Sequence, residues 1–294
     1  IGSFVIGVAA TILQVVLNLY LTVCRIGKTT ALQRQMIGGT SNSIGMAIAP
    51  LVISYLIFHG TPLHDIVTKQ FIIPLIILIL IMLIITLLVG KTQMPSIDNV
   101  RQAPGEKFDK SVWSFRNLKL GVWGIFFYVG IEVAVGANVN MYASELGGSF
   151  ASNATHMAAL YWGLLLLGRF LGSFIKQVPS EKQLVIASIG AIVLLVLAML
   201  TANPWILTLI GFFHSIMWPA IFTLATDQLG KYTTKASGVL TMGVIGGGII
   251  PLLQGIFADV MGGNWLWTWL LVIAGEAYIL YYGLNGCLLY TSDA

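Results

Sequence analysis

The sequence predicts an all-α protein that crosses a membrane many times, and three observations carry that prediction. Hydrophobic residues make up 57% of the chain and charged residues only 9%, whereas a water-soluble domain carries about 25% charge. Mean hydropathy is +0.90. The apolar runs are long enough to span a bilayer as helices, and they lack the ten-residue alternation of a membrane barrel.

About nine spans follow from these runs. The first, near Ile1–Val23, carries no charge and places Thr11, Gln14 and Asn18 on one face. The second, near Met36–Phe58, sets Gly39, Asn42 and Ser43 in a similar stripe, and the third, near Phe71–Val89, is apolar all round. Both polar stripes suit a polar cavity, and both equally suit interhelical hydrogen bonding. The fourth span, Leu120–Tyr142, holds one charge, Glu132, and sets Tyr128 on its face, with Asn140 turned about 80° away and Asn138 further round. Spans five and six lie near Ala154–Phe174 and Leu184–Thr201. The seventh, Trp205–Thr226, repeats Gly211, His214, Ser215 and Trp218 at helical spacing before Pro219, which must bend or break its hydrogen-bond ladder. The eighth, Ser237–Val260, contains Gly243 to Pro251, a run of glycines and a proline that permits close helix approach and bending. The ninth lies near Trp265–Leu284 and holds Glu276.

Basic residues sort by loop and give the topology. Arg25, Lys28 and Arg34 follow the first span, Lys91 to Lys119 the third, Arg169, Lys176 and Lys182 the fifth, and Lys231 and Lys235 the seventh. Lys and Arg stay on the cytoplasmic side, so the first and last helices both end in the cytoplasm. The net charge of +4 therefore reflects orientation in a lipid bilayer and gives no support to nucleic-acid binding. Cys24 and Cys287 form no disulfide framework or zinc spacing, so neither metal nor cofactor is expected.

Glu132 is the most informative single residue. It lies about 18 Å along a span built to cross about 30 Å of hydrocarbon, near the bilayer midplane. A carboxylate there is costly unless it faces a partner or a wet cavity, which makes it a candidate for proton coupling. A protonated or hydrogen-bonded acid that fixes helix packing is the competing reading. Trp218 suits stacking on a sugar ring or plain packing. His214 suits a proton relay or a neutral packed role. Gly168-Arg169 is read as close helix packing with an arginine that snorkels to the cytoplasmic interface. Gly27-Lys28-Thr29 lacks the preceding glycine and strand of a phosphate-binding loop, and Asn153-Ala154-Thr155 matches a glycosylation tripeptide that is common by chance. A polytopic membrane enzyme would need a clustered catalytic set, and no such His, Asp or Glu constellation falls within the spans.

Three ordered strings in separate helices then carry a resemblance. Phe126-Phe127-Tyr128-Val129-Gly130-Ile131-Glu132-Val133, Ser215-Ile216-Met217-Trp218-Pro219-Ala220-Ile221-Phe222 and Gly246-Gly247-Gly248-Ile249-Ile250-Pro251 through Asp259 resemble the fucose/glucose/galactose–proton symporter group of the major facilitator superfamily. The resemblance implies a twelve-helix fold in two bundles, of which this chain would hold helices four to twelve and begin inside a longer protein. Residues 1–90 would then be the last three helices of the N-terminal bundle, 91–119 a cytoplasmic linker and 120–286 the C-terminal bundle. Residues 287–294 are similar to a translated sequencing adaptor. The implied activity is import of a monosaccharide by proton symport with alternating access, in a bacterial inner membrane and as a monomer, with no catalytic chemistry. A facilitator or antiporter for another small polar solute is the alternative. Leu13-Gln14-Val15-Val16-Leu17-Asn18 resembles the family's fourth-helix segment, where Gln14 stands in place of an acid implicated in coupling, and a glutamine cannot titrate. Asn42 matches an asparagine of the family's sugar cavity. Gln14, Asn18, Asn42, Tyr128, Asn140, His214 and Trp218 are the expected substrate contacts, and Glu132 is the best titratable candidate, with Glu276 behind it.

Overall fold

The computed structural model describes residues 2–24, 27–52, 68–93 and 107–288. Arg25 and residues 94–106 of the 91–119 linker, including Pro95, Arg101, Pro104 and Gly105, lie outside the described residues. So do residues 53–58 of the second expected span and residues 289–294 of the expected adaptor-derived tail.

The described residues form twelve α-helices and no strand. These are α1 (Gly2–Val23), α2 (Ala31–Leu51), α3 (Ile72–Lys91), α4 (Arg116–Leu146), α5 (Gly148–Ser152), α6 (Ala154–Gly172), α7 (Ser180–Thr201), α8 (Pro204–His214), α9 (Met217–Ala225), α10 (Thr233–Thr241), α11 (Gly246–Val260) and α12 (Trp269–Tyr281). Six stretches are long and apolar enough to cross a membrane: Phe4–Val23, Lys69–Lys91, Arg116–Leu146, Ser180–Thr201, Pro204–Ala225 and Gly230–Val260. The other three expected spans depart for visible reasons. The helix α2 is polar over Gln33 to Gln35 and Thr40 to Ser43, α6 carries His156 and Arg169, and α12 is short before it passes into a π-helical turn at Tyr282–Gly286.

The chain divides into two compact units, residues 41–96 and the remainder. In the smaller unit, α3 is apolar all round, as a helix facing lipid is. In the larger unit α4 packs against α6, α8, α9, α11 and α12, while α7 packs against α8 and α12. Small residues face inward here and large ones outward. On α7, Ala187, Ala191, Leu195 and Ala198 are buried, whereas Ile186, Ile189, Val193 and Leu200 are exposed. Lipid is as apolar as leucine, so close backbone approach drives association between such helices.

Breaks in the helices fall where the backbone loses a donor or a side chain. Pro219 has no N–H to offer the carbonyl of Ser215, and the helix interrupts at Ser215 and Ile216, separating α8 from α9. A 3-10 turn, Met242–Ile245, separates α10 from α11. Here the glycine run brings backbones together, since a Cβ on Gly246 would strike the carbonyl of Phe126 on α4.

Arg34 closes the α1–α2 turn. Its guanidinium donates to the carbonyls of Leu21 and Thr22 at 2.7 Å each and to that of Thr29 at 2.7 Å, satisfying acceptors that a helix C-terminus leaves open. The α2 helix is further held by Gln33, which donates to the carbonyl of Ser173 at 2.8 Å. Before α4, the hydroxyl of Tyr232 accepts from the backbone N–H groups of Asp109 and Lys110 at 3.1 Å each, and Phe108 and Phe115 pack on its ring.

Candidate functional site

Four helices of the larger unit converge on one buried chain of polar groups. The α4 helix presents Tyr128 and Glu132 one turn apart, and the last turn of α6 sends Arg169 to meet them. Arg169 Nη2 lies 3.2 Å from Glu132 Oε1, with side-chain exposures of 10% and 13%. This corrects the snorkelling assignment for Arg169. Helical Cα–Cβ bonds tilt toward the helix N-terminus, so from the end of α6 the long side chain reaches back into the bundle rather than out to the interface.

Two turns earlier on α6, the Tyr161 hydroxyl donates to the backbone carbonyl of Glu132 at 3.1 Å and lies 2.6 Å from His214 Nδ1. The approach depends on Gly211, since a Cβ there would meet the Tyr161 carbonyl. His214 closes α8, and its Nε2 lies 2.6 Å from Glu276 Oε1 on α12. Both side chains of this pair are fully buried. Tyr128 is fully buried, with its ring centroid 6.2 Å from the imidazole, and its hydroxyl has no hydrogen-bond partner by geometry. Glu276 Oε2 is likewise buried without one.

The chain therefore runs from a partly accessible end, Glu132 with Arg169, to a sealed end, His214 with Glu276. The Tyr161–His214 and His214–Glu276 contacts are within hydrogen-bond distance and can hold and redistribute a proton, whereas Tyr161 meets Glu132 at its backbone carbonyl, which is no proton carrier. Among the described residues, no group of three or more His, Cys, Asp or Glu side chains could hold a metal ion.

Of the other candidates, Trp218 packs beside this chain, its ring centroid 6.5 Å from that of Tyr128. Gln14 is half-buried on α1 and Asn18 is buried, its carbonyl accepting from Gln35 Nε2 at 2.8 Å. Asn42 belongs to the smaller unit and has an exposed side chain. Trp218 is half-buried and stacks on Phe222, ring centroids 6.1 Å apart. On α4, Asn138 donates to Gln254 Oε1 at 2.9 Å, and Gln254 donates to Thr268 at 3.0 Å, so Asn138 ties α4 to α11. Asn140 is half-buried and makes no side-chain hydrogen bond among the described residues. Sequence reasoning missed Tyr161 altogether; it lies eight residues before Arg169, about 80° round the helix, so helical phase alone does not single it out.

Residues 1–251 match the family model of the major facilitator superfamily. The chain belongs to the major facilitator superfamily. Within it the chain groups with the fucose/glucose/galactose transporters. It is 34% identical over 292 residues to a glucose/galactose transporter of Brucella abortus, covering 96% of this chain and 70% of that one. A putative glucose/galactose transporter of Helicobacter pylori is 32% identical, with 96% and 72% covered. The crystal structure of the Escherichia coli fucose:proton symporter superposes with a TM-score of 0.80 at 26% identity, covering 92% of this chain and 72% of that one. As a superfamily member with six apolar spans among its described residues, the chain is a multi-pass membrane protein.

Proposed function

We propose that the protein imports a monosaccharide, a hexose or deoxyhexose such as glucose, galactose or fucose, across a bacterial inner membrane by proton symport with alternating access. The observation that carries this reading is the Glu132–Arg169 pair. An apolar pair of similar volume would serve folding as well or better, and ionisable groups inside a membrane bundle mark ion and substrate pathways. The relatives' functions, glucose/galactose transport and fucose:proton symport, support the substrate class and the ion.

In this reading the protein acts as a monomer, with residues 1–90 in an N-terminal bundle, 91–119 as the linker and 120–286 as the C-terminal bundle. Gln14, Asn18 and Asn140 bond sugar hydroxyls, Trp218 offers its ring face, and Tyr128 and His214 back the site from inside the bundle. Asn42 keeps its family-based role. Glu132 takes up and releases the coupled proton, since Gln14 cannot titrate. The broken helices α8–α9 and α10–α11 supply the bends that alternating access uses.

The test is uptake of labelled glucose, galactose and fucose into vesicles holding the protein. Uptake of at least one sugar, competed by its unlabelled form, is expected. No uptake of any of them would overturn the substrate class.

A further inference from the structure

We propose that the His214–Glu276 pair is a second proton-binding site, capped by the Tyr161 hydroxyl, which also bonds the backbone carbonyl of Glu132. Tyr161 has one hydrogen and two neighbours within reach, the Glu132 carbonyl at 3.1 Å and His214 Nδ1 at 2.6 Å. If that hydrogen points to the carbonyl, Nδ1 must carry its own hydrogen and donate to the phenol oxygen. The 2.6 Å contact between Nε2 and Glu276 Oε1 then holds one more hydrogen, as imidazolium with carboxylate or as imidazole with carboxylic acid. Tyrosine, histidine and glutamate together are neutral.

If the phenol hydrogen swings to Nδ1, the imidazole keeps a single hydrogen, on Nε2, and Glu276 is a carboxylate. The three groups then carry one proton fewer and a net charge of −1. The two arrangements use the same contacts. The trio can therefore hold or lack one proton with only the rotation of a hydroxyl, and because the Glu132 carbonyl is no proton carrier, the proton itself passes to or from water that reaches this end.

Charge balance points the same way. The groups that face the pair are Tyr128 and Glu132 from α4, Tyr161 and Arg169 from α6, His214 from α8 and Glu276 from α12, while α7 has no titratable side chain beyond its first turn. Two carboxylates against one guanidinium leave an excess negative charge, which a single proton on the His214–Glu276 pair removes. Glu276 Oε2 is buried with no hydrogen-bond partner, and a full carboxylate charge on such an atom is expensive. The sealed bundle thus favours the loaded pair, and a conformation that wets this end would release the proton. The two acids can then serve different steps: the accessible Glu132 exchanges with solvent, while the sealed pair holds its proton until its end is wetted.

This inference rests on the proton-coupled reading above, and the experiment separates the two. Purified protein is reconstituted in liposomes and galactose accumulation is measured under an inward gradient of one pH unit. A one-proton symporter reaches about ten-fold accumulation, because a pH unit is worth about 1.4 kcal/mol. Wild type that only equilibrates galactose would defeat the proton-coupled reading itself. Given accumulation by wild type, Glu276→Gln is expected to bring the ratio down to equilibration while galactose counterflow, which needs no net proton movement, continues. Glu276→Gln accumulating like wild type would overturn the second site. Should Glu276→Gln fail to fold, infrared difference spectra of the unmodified protein across alkaline titration decide. A buried carboxylic-acid band lost together with histidine ring changes supports the pair as the site, and loss of neither overturns it.

Discussion

Arg169 Nη2 stands 3.2 Å from Glu132 Oε1, tying the last turn of α6 to the middle of α4. Both groups are largely withdrawn from solvent, so each is the main compensation for the other's charge. Removing one partner of a buried pair costs about 3–5 kcal/mol, because the survivor is left uncompensated. Arg169→Gln is therefore expected to lower the melting temperature of the detergent-purified protein by several degrees. The double variant Glu132→Gln/Arg169→Gln should recover most of that loss, which a thermal-shift double-mutant cycle reads directly. Additive losses would mean the two side chains do not depend on each other.

The glycine run of α11 gives a sharper steric contrast. A methyl group on Gly246 would strike the Phe126 carbonyl, whereas one on Gly248 would meet nothing within 4 Å. Gly246→Ala should destabilise by at least the ~1–3 kcal/mol of ordinary overpacking, and Gly248→Ala should not. Melting temperatures of the two variants check this.

Two asparagines two residues apart on α4 should separate by phenotype. Asn138 holds Gln254, so Asn138→Leu is expected to cost about 1 kcal/mol of stability, within the range of hydrogen bonds inside membrane bundles. Asn140 is assigned to the sugar. Asn140→Ala should leave the melting temperature unchanged and raise the KM for galactose by about ten-fold, the worth of one well-placed hydrogen bond. Transport kinetics and thermal shift on both variants decide.

Gln254 sits at the centre of the link between Asn138 and Thr268. Gln254→Leu removes both bonds and should destabilise by about 1–2 kcal/mol. A Gln254→Glu variant keeps the acceptor for Asn138 and has a donor for Thr268 only when protonated, so its stability should lie between wild type and Gln254→Leu and should rise as the pH falls.

The sequence made six of the nine expected spans legible, because length and hydropathy are local properties of the chain. It also marked Pro219 and the Gly243–Pro251 run, where a missing N–H and missing Cβ atoms leave the backbone no other choice. It did not reveal the company Glu132 keeps. Arg169 lies 37 residues away and His214 and Glu276 are 62 apart, so their meeting depends on which helices pack together. Arg169 near a cytoplasmic end reads naturally as snorkelling, and only the backward tilt of its side chain on α6 turns it inward. Asn138 looked the lesser candidate from helical phase alone, since phase measures an angle and says nothing of the Gln254 that waits on α11.

Sugar-induced proton movement tests the central claim most directly. When galactose is added to weakly buffered, de-energised cells that express the protein, a proton symporter draws protons inward with the sugar. The external medium should turn alkaline in step with uptake, and Glu132→Gln should abolish that response. A flat pH trace from the unmodified protein during measured galactose uptake would contradict the account.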